Sequence, residues 1–147
     1  MIAWTLKIFD ALTPHELYAI LQLRSEVFVV EQQCVFQDAD NKDQLSYHIM
    51  GMENGALVAY TRLVPPGISY AEPAIGRVVT SARVRSRGVG RELMEYSIYQ
   101  CHALFGHRPV RIGAQVYLQK FYTSLGFRPE GEIYLEDGIQ HIEMILT

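Results

Sequence analysis

Arg85-Ser86-Arg87-Gly88-Val89-Gly90-Arg91 joins an apolar, β-branched run, Ile75 to Thr80, to a long helix-patterned segment, Gly88 to Phe105. A strand that passes into a helix through glycines leaves backbone N–H groups at a positive helix end, here with arginines beside them. Such a corner suits a pyrophosphate, because charge-assisted bonds from Arg85 and Arg87 complement the backbone donors. Glycines at this position also serve tight helix–sheet packing. No Gly-Lys-Ser/Thr follows, so the loop is not a P-loop, and the three-glycine spacing of a dinucleotide fingerprint is absent. Farther on, Tyr122-Thr123-Ser124-Leu125-Gly126-Phe127 reads as a helix end carrying a phenol suited to proton donation.

Working outward, Thr13-Pro14-His15-Glu16 has the form of a capping box with proline at the first helical position. It predicts a helix to about Phe28, with Leu17, Ile20, Leu21 and Val27 burying one face and Leu23 and Tyr18 widening the stripe. After an irregular acidic segment, Glu31 to Gln44, the runs Tyr47 to Met52 and Ala56 to Val64 read as strands joined by Glu53-Asn54-Gly55, a hairpin signal. Pro65, Pro66, Gly67 and Pro73 make the next stretch a loop. The helix after the glycines places Met94, Ile98, Cys101 and Phe105 along one side. Val110 to Ala114 reads as a short strand and Tyr117 to Leu125 as a helix ended by Gly126. Phe127 to Leu135 and Ile139 to Leu146 form a closing hairpin across Glu136-Asp137-Gly138. The order strand, helix, three strands, helix, strand, helix, two strands predicts one α/β (α+β) domain over residues 1–147. Its central sheet is expected to be mixed and mostly antiparallel, with helices on both faces.

Composition narrows the partners. The 147 residues are 49% hydrophobic and 20% charged, enough to bury a real core. Five of the 13 basic residues fall between Arg77 and Arg91, yet the net charge is −3, which suits a small anionic ligand rather than nucleic acid. Cys34 and Cys101 are too few for a disulfide framework and are expected as free thiols of a reducing compartment. No leader pattern and no run approaching about 18 apolar residues is present, so a cytoplasmic protein is expected. Asp38-x-Asp40-x-x-Asp43 superficially suggests calcium, but Lys42 and a missing glycine break the pattern. A solvated acidic loop and no bound metal are expected.

Together, Arg85-x-x-Gly88-x-Gly90 after Ile75-Gly76-Arg77-Val78-Val79-Thr80, with Tyr122-x-x-x-Gly126-Phe127 downstream, resembles the GNAT superfamily of acetyl-CoA-dependent N-acetyltransferases. Leu21-Gln22-Leu23-Arg24, Val27-Phe28-Val29-Val30-Glu31-Gln32, Cys34, Asp38, Asp40 and Glu136-Asp137-Gly138-Ile139-x-His141 are similar to its ElaA-like group. The resemblance covers nearly the whole chain. It implies that the backbone of Val78, Val79 and Thr80 pairs with the pantetheine arm and polarises the thioester carbonyl. By the same resemblance, Arg85, Ser86, Arg87, Gly88, Val89, Gly90 and Arg91 hold the pyrophosphate of acetyl-CoA. An amine attacks directly and Tyr122 protonates the departing thiolate; the alternative for Tyr122 is a packed core residue. Gln115 stands where the family often has asparagine beside the cofactor arm, and Ser86 replaces a common glycine.

On the acceptor side, Arg24 and Phe28 are four residues apart and share a helical face. With Glu31 and Gln32 they are expected to border an amine pocket in which Glu31 orients the cation and His141 reaches in from the closing hairpin. Glu31, His48 and His141 are the candidates for the base, directly or through water. Each also has a structural reading: a loop-bracing carboxylate, a half-buried strand residue and a hairpin-packing ring. The implied partners are acetyl-CoA and an amine acceptor, with no nucleic acid or membrane and with a homodimer compatible. The rival reading is a CoA-binding sensory or interaction module with little turnover.

Overall fold

In a computed structural model describing residues 1–147, one eight-stranded sheet runs through the molecule. Its strands are β1 (Ala3–Ile8), β2 (Tyr47–Glu53), β3 (Ala56–Val64), β4 (Ala74–Thr80), β5 (Val110–Gln115), β6 (Arg128–Pro129), β7 (Tyr134–Glu136) and β8 (Ile139–Leu146). The spatial order is β1-β2-β3-β4-β5-β8-β6, with β7 also on β8. Every pairing is antiparallel except β4 with β5. Asn54-Gly55 and Asp137-Gly138, all at positive φ, turn the two tight hairpins as the mirror-image turn requires.

Three helices cover the sheet: α1 (Pro14–Arg24), α2 (Val89–Phe105) and α3 (Gln119–Ser124). Because side chains alternate along a strand, neighbours serve opposite layers. Ile49, Ala59 and Ile75 pack with Leu93, Met94 and Cys101 of α2 and with Tyr122 of α3. Met50, Tyr60 and Val79 pack with Ile20 and Leu23 of α1. The mixed sheet and the helices on both faces agree with the sequence reading.

α1 starts as expected: Thr13 Oγ1 accepts from Glu16 N at 3.1 Å and Glu16 Oε1 accepts from Thr13 N at 2.8 Å. It does not run regularly to Phe28. From Ser25 to Glu31 the chain takes wider π turns, with Gln32 N to Val27 O and Cys34 N to Val29 O bonds. The buried stripe is Ile20, Leu23 and Arg24, while Leu21 is 38% and Tyr18 72% exposed. A buried arginine has displaced the apolar face that hydrophobic spacing alone predicts.

The expected strand from Phe127 to Leu135 is broken. Pro129 pairs with Met144 and Tyr134 with His141, so four residues stand against two and bulge out of the ladder. Pro129 has no N–H to donate and Gly131 takes φ +94°, which together turn the chain away.

Candidate active site

β4 and β5 pair at a single position, Ala74 with Arg111. Beyond it the strands diverge, so Val78–Thr80 and Gly113–Gln115 wall a cleft opening at their C-terminal ends, where α/β sheets receive ligands. β4 also carries a bulge: Val79 faces Tyr60 and Gly76 faces Arg62, leaving Arg77 and Val78 against one residue of β3. Arg77 sits there at φ +51°. Its Nε donates to Asp38 Oδ1 at 2.8 Å and its Nη2 to the Asp38 carbonyl at 2.9 Å, which pins a conformation that few non-glycine residues adopt.

The loop before α2 is built as an anion cradle. Ser86 and Gly88 both take left-handed backbone, at φ +66° and +77°, and Gly88 is the residue preceding the helix. No amide from Arg85 to Arg91 donates to a protein acceptor. An added Cβ on Gly88 or Gly90 would meet nothing within 4 Å, so both face open space. The arginines are held nearby: Arg87 Nη2 by Glu53 Oε2 at 2.6 Å and Arg91 Nη1 by Ser124 Oγ at 2.9 Å. Arg85 donates to both Glu31 oxygens, and its Nη2 reaches the Thr80 carbonyl at 3.0 Å. These donors, dipole and glycines fit a diphosphate.

Tyr122 is buried, packed edge-on against Phe121 and Phe127, and its hydroxyl has no hydrogen-bond partner. Burial pushes its pKa up, so the phenol keeps its proton at neutral pH. On the outer side of α3 lies a cleft of about 610 Å³ along Val116, Tyr117, Gln119, Lys120 and Thr123. The Gln115 amide exchanges hydrogen bonds of 3.1 and 3.3 Å with Gln32, tying the end of β5 to the segment after the π turns.

The residues expected on the acceptor side separate. Arg24 is fully buried and does not face a pocket. Its Nε donates to Asp38 at 2.8 Å, its Nη1 to Asp43 at 2.7 Å, and its guanidinium lies over the Tyr60 ring. His48 is equally enclosed between the Tyr60 hydroxyl at 2.7 Å and the Asp43 carbonyl at 2.8 Å, and burial lowers its pKa, so it is a core residue without access to a substrate. The acidic loop is not solvated either: Asp38, Asp40 and Asp43 pair with Arg24, Arg62 and Arg77. Burial opposes ionisation of Asp40 and Asp43, yet the arginine hydrogen bonds outweigh it and hold both carboxyls below their ordinary range. Phe28 is half-buried against the Ile20 and Leu23 cluster. Glu31 is occupied by Arg85, whose hydrogen bonds lower its pKa.

His141 lies opposite Gln115 on β8, its ring stacked on Tyr134 at 5.7 Å. His141 is largely buried; a carbonyl only accepts, so the 2.8 Å contact with Ile139 O places the proton on Nδ1 when the ring is neutral and leaves the lone pair on Nε2, which lies 3.6 Å from Glu136 Oε2. Two residues absent from the expectations join it. The Tyr134 and Tyr70 hydroxyls converge over Gly113, where an added Cβ would come within 2.9 and 3.4 Å of them. The signal was a glycine in the interior of β5, between Ile112 and Ala114, a mark of close approach. Cys34 is buried and donates to the Asp137 carbonyl at 3.0 Å, tying the loop after the π turns to the closing hairpin.

The Acetyltransferase (GNAT) domain model matches residues 13–147. Protein ElaA of Escherichia coli K12 is 44% identical over 146 residues, covering 98% of this chain and 95% of its own. The crystal structure of an acyl-CoA N-acyltransferase from Pseudomonas aeruginosa superposes with a TM-score of 0.96 at 43% identity over the whole of both chains, and that of E. coli ElaA with 0.94 at 42%. An aminoglycoside 6'-N-acetyltransferase solved with coenzyme A shares the fold at a TM-score of 0.69 and 14% identity, covering 96% of this chain and 95% of that one. With the family model matching residues 13–147 and relatives 42–44% identical along nearly the whole of both chains, the chain belongs to the GNAT acetyltransferase family.

Proposed function

We propose that the chain transfers an acetyl group from acetyl-CoA to a primary amine by direct attack in a ternary complex. The observation that carries this reading is the run of unpartnered amides from Arg85 to Arg91 at the start of α2, adjoining the cleft between β4 and β5. The amides of Arg87 to Arg91 receive the diphosphate and the backbone of Val78 to Thr80 aligns the arm, with Ser86 and Arg85 closing the loop. Acetyl-CoA supplies the activated acetyl group as a thioester.

The bulge at Arg77 and Val78 takes backbone groups out of the ladder, which frees them to hold charge as it builds on the carbonyl oxygen. Tyr122, neutral and without a protein partner, gives its proton to the leaving sulfur. His141 receives the amine proton through Nε2, since Glu31 is engaged by Arg85 and His48 is enclosed. Gln115 and Gln32 brace the cleft wall between the two substrates.

Tyr122→Phe tests the assignment because it removes one hydroxyl and keeps the ring. Turnover, followed by CoA release with an amine panel, is expected to fall about 10²–10⁴-fold while acetyl-CoA affinity holds. Turnover at the original rate removes Tyr122 from the chemistry, and lost acetyl-CoA binding assigns it to packing.

A further inference from the structure

Gly113 lies on the wall of the β4–β5 cleft, exposed, with two phenol hydroxyls meeting above it. Neither hydroxyl has a protein partner, although both rings are half-buried. Tyr134 is stacked on His141, which brings the imidazole to the same slot. Burial, followed by the neighbouring Tyr70 phenol and the charges of Glu136 and Glu143, pushes the Tyr134 phenol up to about 12; both hydroxyls therefore stay protonated.

The charge around this slot is lopsided. Arg111 lies over the Tyr70 ring at 5.8 Å and is already bracketed by Glu72, Glu130 and Glu143 at 2.8 to 3.0 Å, and Lys42, donating to Ser69 Oγ at 3.0 Å, is the other cation beside the Tyr70 loop. Glu136 adds a fourth carboxylate, 3.6 Å from His141 Nε2. An amine that attacks a thioester must first lose its proton, and as a neutral nucleophile it leaves these carboxylates unmatched. A second ammonium on the same acceptor, one that never reacts, meets that surplus.

We propose that the acceptor is an aliphatic diamine: its reacting amine enters between Tyr70, Tyr134 and His141 over Gly113, and its distal ammonium is paired by Glu136 and Glu143. The absence of a side chain at Gly113 is what lets the two hydroxyls come down onto the strand, where they can take up the reacting amine, since a Cβ would already touch the Tyr134 hydroxyl. Aromatic faces suit both the methylenes and the cation. The inference rests on the proposed acetyl transfer, and it names that reaction's acceptor.

The test separates binding from turnover. Calorimetry with the CoA-loaded protein would compare 1,4-diaminobutane with butylamine and 4-aminobutyrate. The diamine is expected to bind at least about tenfold more tightly than either, the scale of one charge-assisted hydrogen bond. Glu136→Gln should remove about that factor for the diamine and leave butylamine unchanged. Gly113→Ala should weaken all amines, and Tyr134→Phe, which keeps the ring, serves where Gly113→Ala fails to fold. Acetyl-CoA affinity should stay at its original value in Glu136→Gln and Tyr134→Phe. Equal binding of the three probes, or a preference that survives Glu136→Gln, overturns the inference. Tight, Glu136-dependent diamine binding without CoA release overturns the transfer reading and leaves a diamine-binding site in place of an acceptor site.

Discussion

Replacing Arg24 by methionine separates two views of the turn after α1. The side chain is fully buried and donates to Asp38 Oδ2 at 2.8 Å, Asp43 Oδ1 at 2.7 Å and the Asp38 carbonyl at 3.3 Å. Removing one member of a buried ion pair costs about 3–5 kcal/mol, because the partner charge stays buried. Here the lower end applies: Arg77 and Arg62 still hold Asp38 and Asp43, and methionine fills much of the aliphatic stem's volume. At roughly 2–4 °C per kcal/mol for a chain of this size, about 3 kcal/mol lowers Tm by about 6–12 °C. Scanning calorimetry reads that shift. Combining Arg24→Met with Asp43→Asn should cost at least about 1 kcal/mol less than the sum of the single changes, since the two groups share a bond. A Tm within about 2 °C of the original, with the amine KM raised, would refute the buried role and return Arg24 to the acceptor pocket.

The same network sets an acid limit. The folded-state pKa values of Asp40 and Asp43 lie below the unfolded value near 3.9, so their stabilisation is fully present above that pH and is lost as pH falls through the folded values. Urea midpoints should be level from about pH 5 to 7 and drop below about pH 4, and an equal midpoint at pH 3 would contradict the assignment. Gly88→Val places a branched side chain at φ +77° beside the unpartnered amides and should abolish acetyl-CoA binding; unchanged affinity by calorimetry moves the diphosphate elsewhere. Glu31→Gln frees Arg85 from its carboxylate and should change the acetyl-CoA Kd more than the amine KM, whereas the reverse pattern would return Glu31 to the acceptor.

The elements legible in the sequence were those specified locally. The Thr13 and Glu16 capping box, the Asn54-Gly55 hairpin and the left-handed Gly88 each depend on residues a few positions apart. What escaped depended on distant partners. Asp38 looks like a solvent-facing acid until Arg24, 14 positions back, and Arg77, 39 positions on, close around it. Arg24 breaks the apolar stripe of α1 for the same reason, and the π turns that follow carry no periodic signature of their own. In the candidate site, the Arg85–Arg91 loop is contiguous, so its left-handed glycine before the helix could be read locally. The tyrosines over Gly113 come from the β3–β4 loop and the last hairpin, and only the sheet brings them together.

The single contact between Ala74 and Arg111 has a consequence for the chain's behaviour in the cell. Beyond it, β4 and β5 present backbone to each other without bonding, so the molecule contains two sheet edges inside its own outline. Exposed edges invite other strands, and neither Val78–Thr80 nor Gly113–Gln115 carries a proline or an acidic residue to discourage them. A ligand arm lying along β4 would act as the missing strand and cover one of these edges. Protection from edge-to-edge aggregation is then a property of the loaded protein, and depletion of the acyl donor would expose the chain to association as well as idle it.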